Sequence, residues 1–165
     1  MRLNPSFSAA PTVIMTPAEA IQRLRAFFIA NGLETFSEDE ELRFSFQTTH
    51  DEVSIQVVVA CEVEMNRVVF ATSLLEESER PQAELIAFAN HLNCRLAYTM
   101  LVVLDRDPCR VGFETYLILA EGTCLAAQLD YLASAHMGSL ARIMKPVARF
   151  ISREMETPEV LEAIT

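Results

Sequence analysis

Apolar residues change their period along this chain in a definite succession. Ile21, Leu24, Phe27 and Phe28 recur at intervals of three and four, the spacing that lines one face of a helix. Before them stand Thr16, Pro17 and Glu19, a hydroxyl cap, a proline at the first helical position and a glutamate placed to return a hydrogen bond to the cap. After them comes Asn31-Gly32, where glycine accepts the left-handed conformation that ends a helix. The period then falls to two. Leu42, Phe44 and Phe46 alternate with Arg43, Ser45 and Gln47 after an acidic connector over 34–41. A turn at Thr48 to Glu52 leads to Val53, Ile55, Val57, Val59, Cys61 and Val63 on a long second strand. A tight turn at Met65-Asn66 leads to Val68, Phe70, Thr72 and Leu74 on a third. The pattern predicts a helix followed by an antiparallel meander with one wet face.

Glu76 to Pro81 interrupts the alternation and brings acidic residues to the start of a second helix, where the partial positive charge of a helix N-terminus favours them. Ala83, Leu85, Ile86, Phe88, Ala89 and Leu92 give this helix a broad apolar surface up to Asn93. A fourth strand is expected over 95–104, a turn at Asp105-Arg106-Asp107-Pro108, and a fifth strand over 111–119. Thr123 is placed to cap a last helix in which Leu125, Leu129, Leu132, His136, Leu140, Ile143, Val147 and Phe150 keep helical spacing. Gly138 weakens that helix, and Pro146 predicts a kink or break near 142–146 because it lacks a backbone donor and crowds the preceding turn. The sum is an α+β fold: an antiparallel five-stranded sheet with helices in the order α-β-β-β-α-β-β-α. Residues 1–15 form a flexible N-terminal arm, 16–156 a single domain and 157–165 a C-terminal tail that begins with an amphipathic piece at Thr157.

The fourth and fifth strands differ from the first three. Leu96, Tyr98, Met100, Val102 and Leu104 supply one apolar face, yet Leu101 and Val103 make the opposite face apolar too, with Tyr116 and Ile118 as their counterparts on strand five. A strand apolar on both sides needs a second layer or a partner. Leu101, Val103, Tyr116 and Ile118 are therefore the candidate dimer or client surface. The competing reading covers them with the second helix or the arm.

Composition narrows the function classes. The 165 residues are 51% hydrophobic, enough for one well-filled domain. A formal net charge of −10 opposes binding to a phosphate backbone, so nucleic acid is not an expected partner. The first 15 residues lack the apolar run of a secretory signal, and no stretch approaches the ~20 apolar residues of a membrane span; a cytoplasmic protein without membrane contact is expected.

Cys61, Cys94, Cys109 and Cys124 show no Cys-x-x-Cys spacing, and His50, His91 and His136 have no ligand-spaced neighbours, so neither a metal nor another cofactor is expected. Cys94 precedes strand four and Cys124 follows strand five, which brings them toward one end of the sheet as a possible redox pair; inert thiols are the alternative. Arg142, Lys145, Arg149 and Arg153 fall at helical spacing and form a basic stripe, read either as a dock for an acidic partner or as a solvated face. The acidic residues Glu38, Asp39, Glu40, Glu41, Glu76, Glu77 and Glu79 either steer a basic client or serve solubility.

The stretch from Leu85 to Asn93, Leu-Ile-Ala-Phe-Ala-Asn-His-Leu-Asn, and the hairpin running to Val111-Gly112-Phe113-Glu114 carry a resemblance. With the element order around them, residues 16–155 resemble the YbjN-type family, whose fold is like that of type III secretion chaperones, and look most similar to its cyanobacterial and plastid branch. The resemblance implies a non-enzymatic protein-binding, chaperone-like or regulatory module, typically a homodimer, with no catalytic positions to carry over. The alternative expectation is a small-ligand sensor with a cavity between the sheet and the C-terminal helix.

Overall fold

The capping residues start helix α1 (Pro17–Ala30) in the computed structural model, which describes residues 13–33, 37–40, 42–104 and 109–164. The Glu19 carboxylate accepts the Thr16 backbone N–H at 2.8 Å, and the Glu19 N–H donates to the Thr16 hydroxyl, satisfying two donors that a helix start leaves open. Gly32, at φ +90°, turns the chain away. Residues 1–12 of the expected arm and the expected turn at 105–108 lie outside the described residues. The last arm residues are pinned: Ile14–Met15 form strand β1, paired with Leu125 and Cys124.

Part of the acidic connector is strand β2 (Ser37–Glu40), an addition to the five expected strands. It pairs with β3 (Arg43–His50), which continues through β4 (Val53–Glu62) and β5 (Arg67–Leu74) as an antiparallel meander. Asp51 and Glu52, both at positive φ, make a two-residue hairpin turn between β3 and β4, so the strand runs on to His50. Helix α2 (Gln82–Asn93), β6 (Met100–Leu104), β7 (Arg110–Ile118), the short β8 (Cys124–Leu125), α3 (Ala126–Ile151) and α4 (Thr157–Ala163) complete the chain. The main sheet is six-stranded, in the order β2-β3-β4-β5-β7-β6, and every pair is antiparallel.

Four boundaries differ from expectation. Strand β6 begins at Met100 because the Asn93 side chain bonds both the N–H and the C=O of Leu101, and the preceding residues bridge to α3, where Tyr98 meets Tyr131 edge to face. Thr123 donates its hydroxyl to the Ala120 carbonyl inside the turn, so it does not cap α3; the Leu125 N–H is taken by Gln128 instead. Helix α3 runs through Pro146 without a break, its stripe held by buried Ile143, Val147 and Phe150. The expected C-terminal tail is helical, and Val160 is wholly buried in the core.

Core and open face follow from strand register. Rows such as Phe44, Val59, Phe70, Thr115 and Phe46, Val57, Thr72, Phe113, Leu101 run across the strands on one face. Helices α1, α2 and α3 bury Ile21, Leu24, Phe28, Leu85, Phe88, Leu129 and Val147 in the same cluster. Arg80 ties this layer together at the end of α3. It is 4% exposed, lies 4.0 Å from the Phe150 ring centroid, donates to the carbonyls of Phe150 and Met155, and pairs with Glu84 and Glu156. Burial opposes its charge most strongly, and the Glu156 and Glu84 carboxylates outweigh that cost, so its pKa stands above the ordinary arginine value.

Removing the guanidinium strands two carboxylates and two carbonyls. Arg80→Ala is expected to lower stability by ~3–5 kcal/mol, read as a shift in the urea midpoint at constant m. Arg80→Lys is expected to recover only part of the loss, because an ammonium cannot reproduce the stacked, forked contacts.

Candidate functional site

The four apolar residues expected to form one surface are divided by the sheet. Leu101 pairs with Phe113 and Val103 with Val111, and all four side chains belong to the core side: Leu101 is 2% exposed and Val103 packs against the buried cluster. Tyr116 and Ile118 point the other way and are 44% and 60% exposed. The alternation within β6 is as expected; the grouping fails at the register between the strands, which sets Leu101 opposite Phe113 and Val103 opposite Val111, so that Tyr116 and Ile118 fall on the other face. Coverage by the chain itself accounts for Leu101 and Val103. It does not account for Tyr116 and Ile118.

Their true neighbours are the residues of the open face. Register places Met100 beside Glu114 and Val102 beside Gly112, then Ala71 beside Glu114, Val69 beside Tyr116 and Arg67 beside Ile118, with Val58 and Ala60 continuing across β4. Met100 is 40% exposed. An oblique apolar band therefore crosses the four strands β4, β5, β7 and β6 on the side opposite α1, α2 and α3. Gly112 sits in this band because its backbone lies close to β5: an added Cβ would come within 2.9 Å of the Thr72 carbonyl oxygen. Charged residues border the band in both signs. Arg67 pairs with Glu62 and lies 5.5 Å from the Tyr116 ring centroid, and Arg43, Arg110 and Glu114 share the face by register.

The basic stripe is not a stripe of free cations. Arg149 pairs with Glu154 at 3.2 Å, Arg153 donates twice to the Glu79 carbonyl, and Arg142 donates to the Ile164 carbonyl at the end of α4. Lys145 lines a shallow depression together with Asp51, Glu52, Glu76 and Glu154, a setting that repels an acidic partner. The stripe mostly fastens the end of the helical layer.

The two thiols of the possible redox pair are free and differ in exposure. Cys94 is exposed at the end of α2, while Cys124 is buried in β8 with Cys61, not Cys94, as the thiol that acts on it electrostatically. Burial pushes the Cys61 and Cys124 thiols up, which suppresses the thiolate and, at Cys124, favours the inert reading over the redox one. His136, expected only as part of an apolar stripe, is the centre of a buried polar chain. Its Nε2 meets the Thr72 hydroxyl and its Nδ1 the Thr115 hydroxyl, both at 2.8 Å, and Thr115 bonds Thr99 at 2.9 Å. Hydroxyls donate and accept, so a neutral imidazole satisfies both ends. Burial without a carboxylate partner drives its pKa down from 6.5 to about 4. Among the described residues no group of three His, Cys, Asp or Glu side chains is arranged to hold a metal ion.

As pH falls, unfolded His136 takes up a proton first, near its ordinary value, and folded His136 resists until about 4. Its contribution to stability is thus present above pH 6.5 and lost on acidification. Wild-type protein is expected to lose ~3 kcal/mol more than His136→Leu between pH 7 and pH 4, measured by urea midpoints. With iodoacetamide at neutral pH, Cys94 is expected to label in the native protein and Cys61 and Cys124 only after unfolding, as peptide mass mapping will show. No family model, curated protein or solved structure matches this chain.

Proposed function

We propose that the protein is a non-enzymatic protein-binding module, chaperone-like or regulatory in use, and that the occupant of its open sheet face is a second copy of the chain. The observation that carries this reading is the band of Met100, Val102, Tyr116 and Ile118 lying on a face that none of the described helices covers. Four strands ~4.8 Å apart and about eight residues long present a surface on the order of 500 Å², which approaches the ~800 Å² per partner of a standard interface. Its charges suit self-pairing. Although the chain carries −10 overall, Arg43, Arg67 and Arg110 stand with Glu62 and Glu114 on this face, so the two signs are mixed there and two copies meet without strong repulsion. Aromatic, methionine and arginine side chains are the ones interfaces favour. The resemblance to the YbjN-type family and its type III secretion chaperone-like fold belongs to the same proposal, since it implies dimeric binding proteins.

The small-ligand alternative places a cavity between sheet and long helix. Two adjoining surface depressions lie there, of about 260 Å³ at Phe28, Phe46 and Met137 and about 150 Å³ at Ile55, Met137 and Met144. Both are open and smaller than the ~300 Å³ at which ligand pockets begin.

Sedimentation velocity is expected to show a concentration-dependent dimer for the native chain. Ile118→Asp is expected to weaken dimerisation by about tenfold or more, because it replaces exposed apolar area with a carboxylate that must lose its water on association. At concentrations low enough for both chains to be monomeric, its melting curve should match the native one, since Ile118 contributes little to the core. A native protein that stays monomeric at every concentration contradicts the reading.

A further inference from the structure

We propose a second site, on the helical side of the molecule, that binds a small organic molecule bearing a dianionic oxyanion, a phosphate monoester being the simplest. It is a cleft of about 460 Å³ between the segment 95–98, helix α3 and the end of α4, lined by Arg95, Leu96, Tyr98, Ser139, Arg142 and Ile143 among others. This volume suits a small ligand and not a folded partner. Two guanidinium groups converge on it. Arg95 donates through one terminal nitrogen to the Leu161 carbonyl at 3.1 Å, and Arg142 through one to the Ile164 carbonyl at 3.0 Å. These bonds fix both forks in place and use a minority of the five N–H donors that each arginine carries.

Charge sets this pair apart from five of the described arginines. Arg23, Arg67, Arg80, Arg110 and Arg149 each face a carboxylate. Arg95 and Arg142 form no ion pair with a described carboxylate, and no acidic residue is among the described residues that line the cleft. Two exposed cations that line one cleft, with no described carboxylate between them, favour a dianion that enters there. Fastening α4 explains one bond from each arginine but leaves the net positive charge unanswered. The half-buried Ser139, one turn before Arg142 on α3, adds a hydroxyl donor. On the other wall Leu96, buried Ile143 and the Tyr98 ring, held edge to face by Tyr131, offer an apolar bed for the organic part. Arginine forks recognise phosphate in two-point fashion, and a dianion satisfies both at once. The open face plays no part in this site, so the two proposals stand or fall separately.

Phenyl phosphate is the probe, titrated at constant ionic strength and followed by calorimetry and by backbone amide NMR. Saturable binding is expected, with shifts centred on Leu96, Ser139 and Ile143. Arg95→Gln and Arg142→Gln are each expected to weaken it by about tenfold or more, the loss of one charge-assisted fork. Ser139→Leu fills the cleft without touching either carbonyl contact and is expected to abolish binding while leaving the melting temperature unchanged. Benzoate, a monoanion, should bind more weakly, and inorganic phosphate more weakly still for want of the apolar wall. The proposal is overturned if phenyl phosphate fails to saturate at millimolar concentration, if Ser139→Leu binds it as well as the native chain does, or if Lys145→Gln weakens binding as much as Arg142→Gln. It is equally overturned if inorganic phosphate matches phenyl phosphate.

Discussion

One constraint shapes everything else in this molecule: its three long helices lie on a single face of one antiparallel sheet. A strand shows alternate residues to opposite sides, so a sheet covered on one side must carry an apolar and a polar set in strict alternation. Strand β4 does so from Val53 to Glu62, each inward residue buried and each outward residue half-buried. The outward set is nevertheless not polar throughout. Val58, Ala60, Ala71, Val102, Tyr116 and Ile118 share it by register, and the mismatch between their chemistry and water, largest at Tyr116 and Ile118, is the physical basis of the interaction proposed here.

The covered face is held by packing and by two polar devices. Arg80 brings a charge into the layer and satisfies it with two carboxylates, two carbonyls and an aromatic ring, joining the start of α2 to the end of α3 and the start of α4. His136 spans from α3 to two strands through threonines on β5 and β7 and fixes the helix against the sheet at one register. Both are specific only when complete, since half of either leaves a buried polar group without its bond. Both devices lie on the helical side of the sheet.

Much of this was legible in the order of residues, and the failures have physical causes. The Thr16 cap, the meander and the α3 stripe were readable because each is a local pattern with one period. The assignment of Leu101 and Val103 to the same face as Tyr116 and Ile118 was not, because a hairpin's relative phase is set by its pairing register, here Leu101 with Phe113, which no period within either strand encodes. Arg80 and His136 are single residues whose roles exist only once distant segments meet. Neither has a sequence signature beyond an arginine near a proline and a histidine in an apolar stripe. Pro146 and Val160 show the opposite error, in which local signals for a break and a loose tail give way to tertiary packing.

The central claim is that the helix-free face meets another copy of the chain. Methyl NMR with a soluble paramagnetic relaxation agent tests it most directly, comparing Ile118 and Met100 on that face with Ile86, which is 47% exposed on helix α2. The account predicts that relaxation of Ile118 and Met100 declines as protein concentration rises while that of Ile86 stays constant. If all three remain equally accessible at every concentration, the face is a water-exposed surface and the account is wrong.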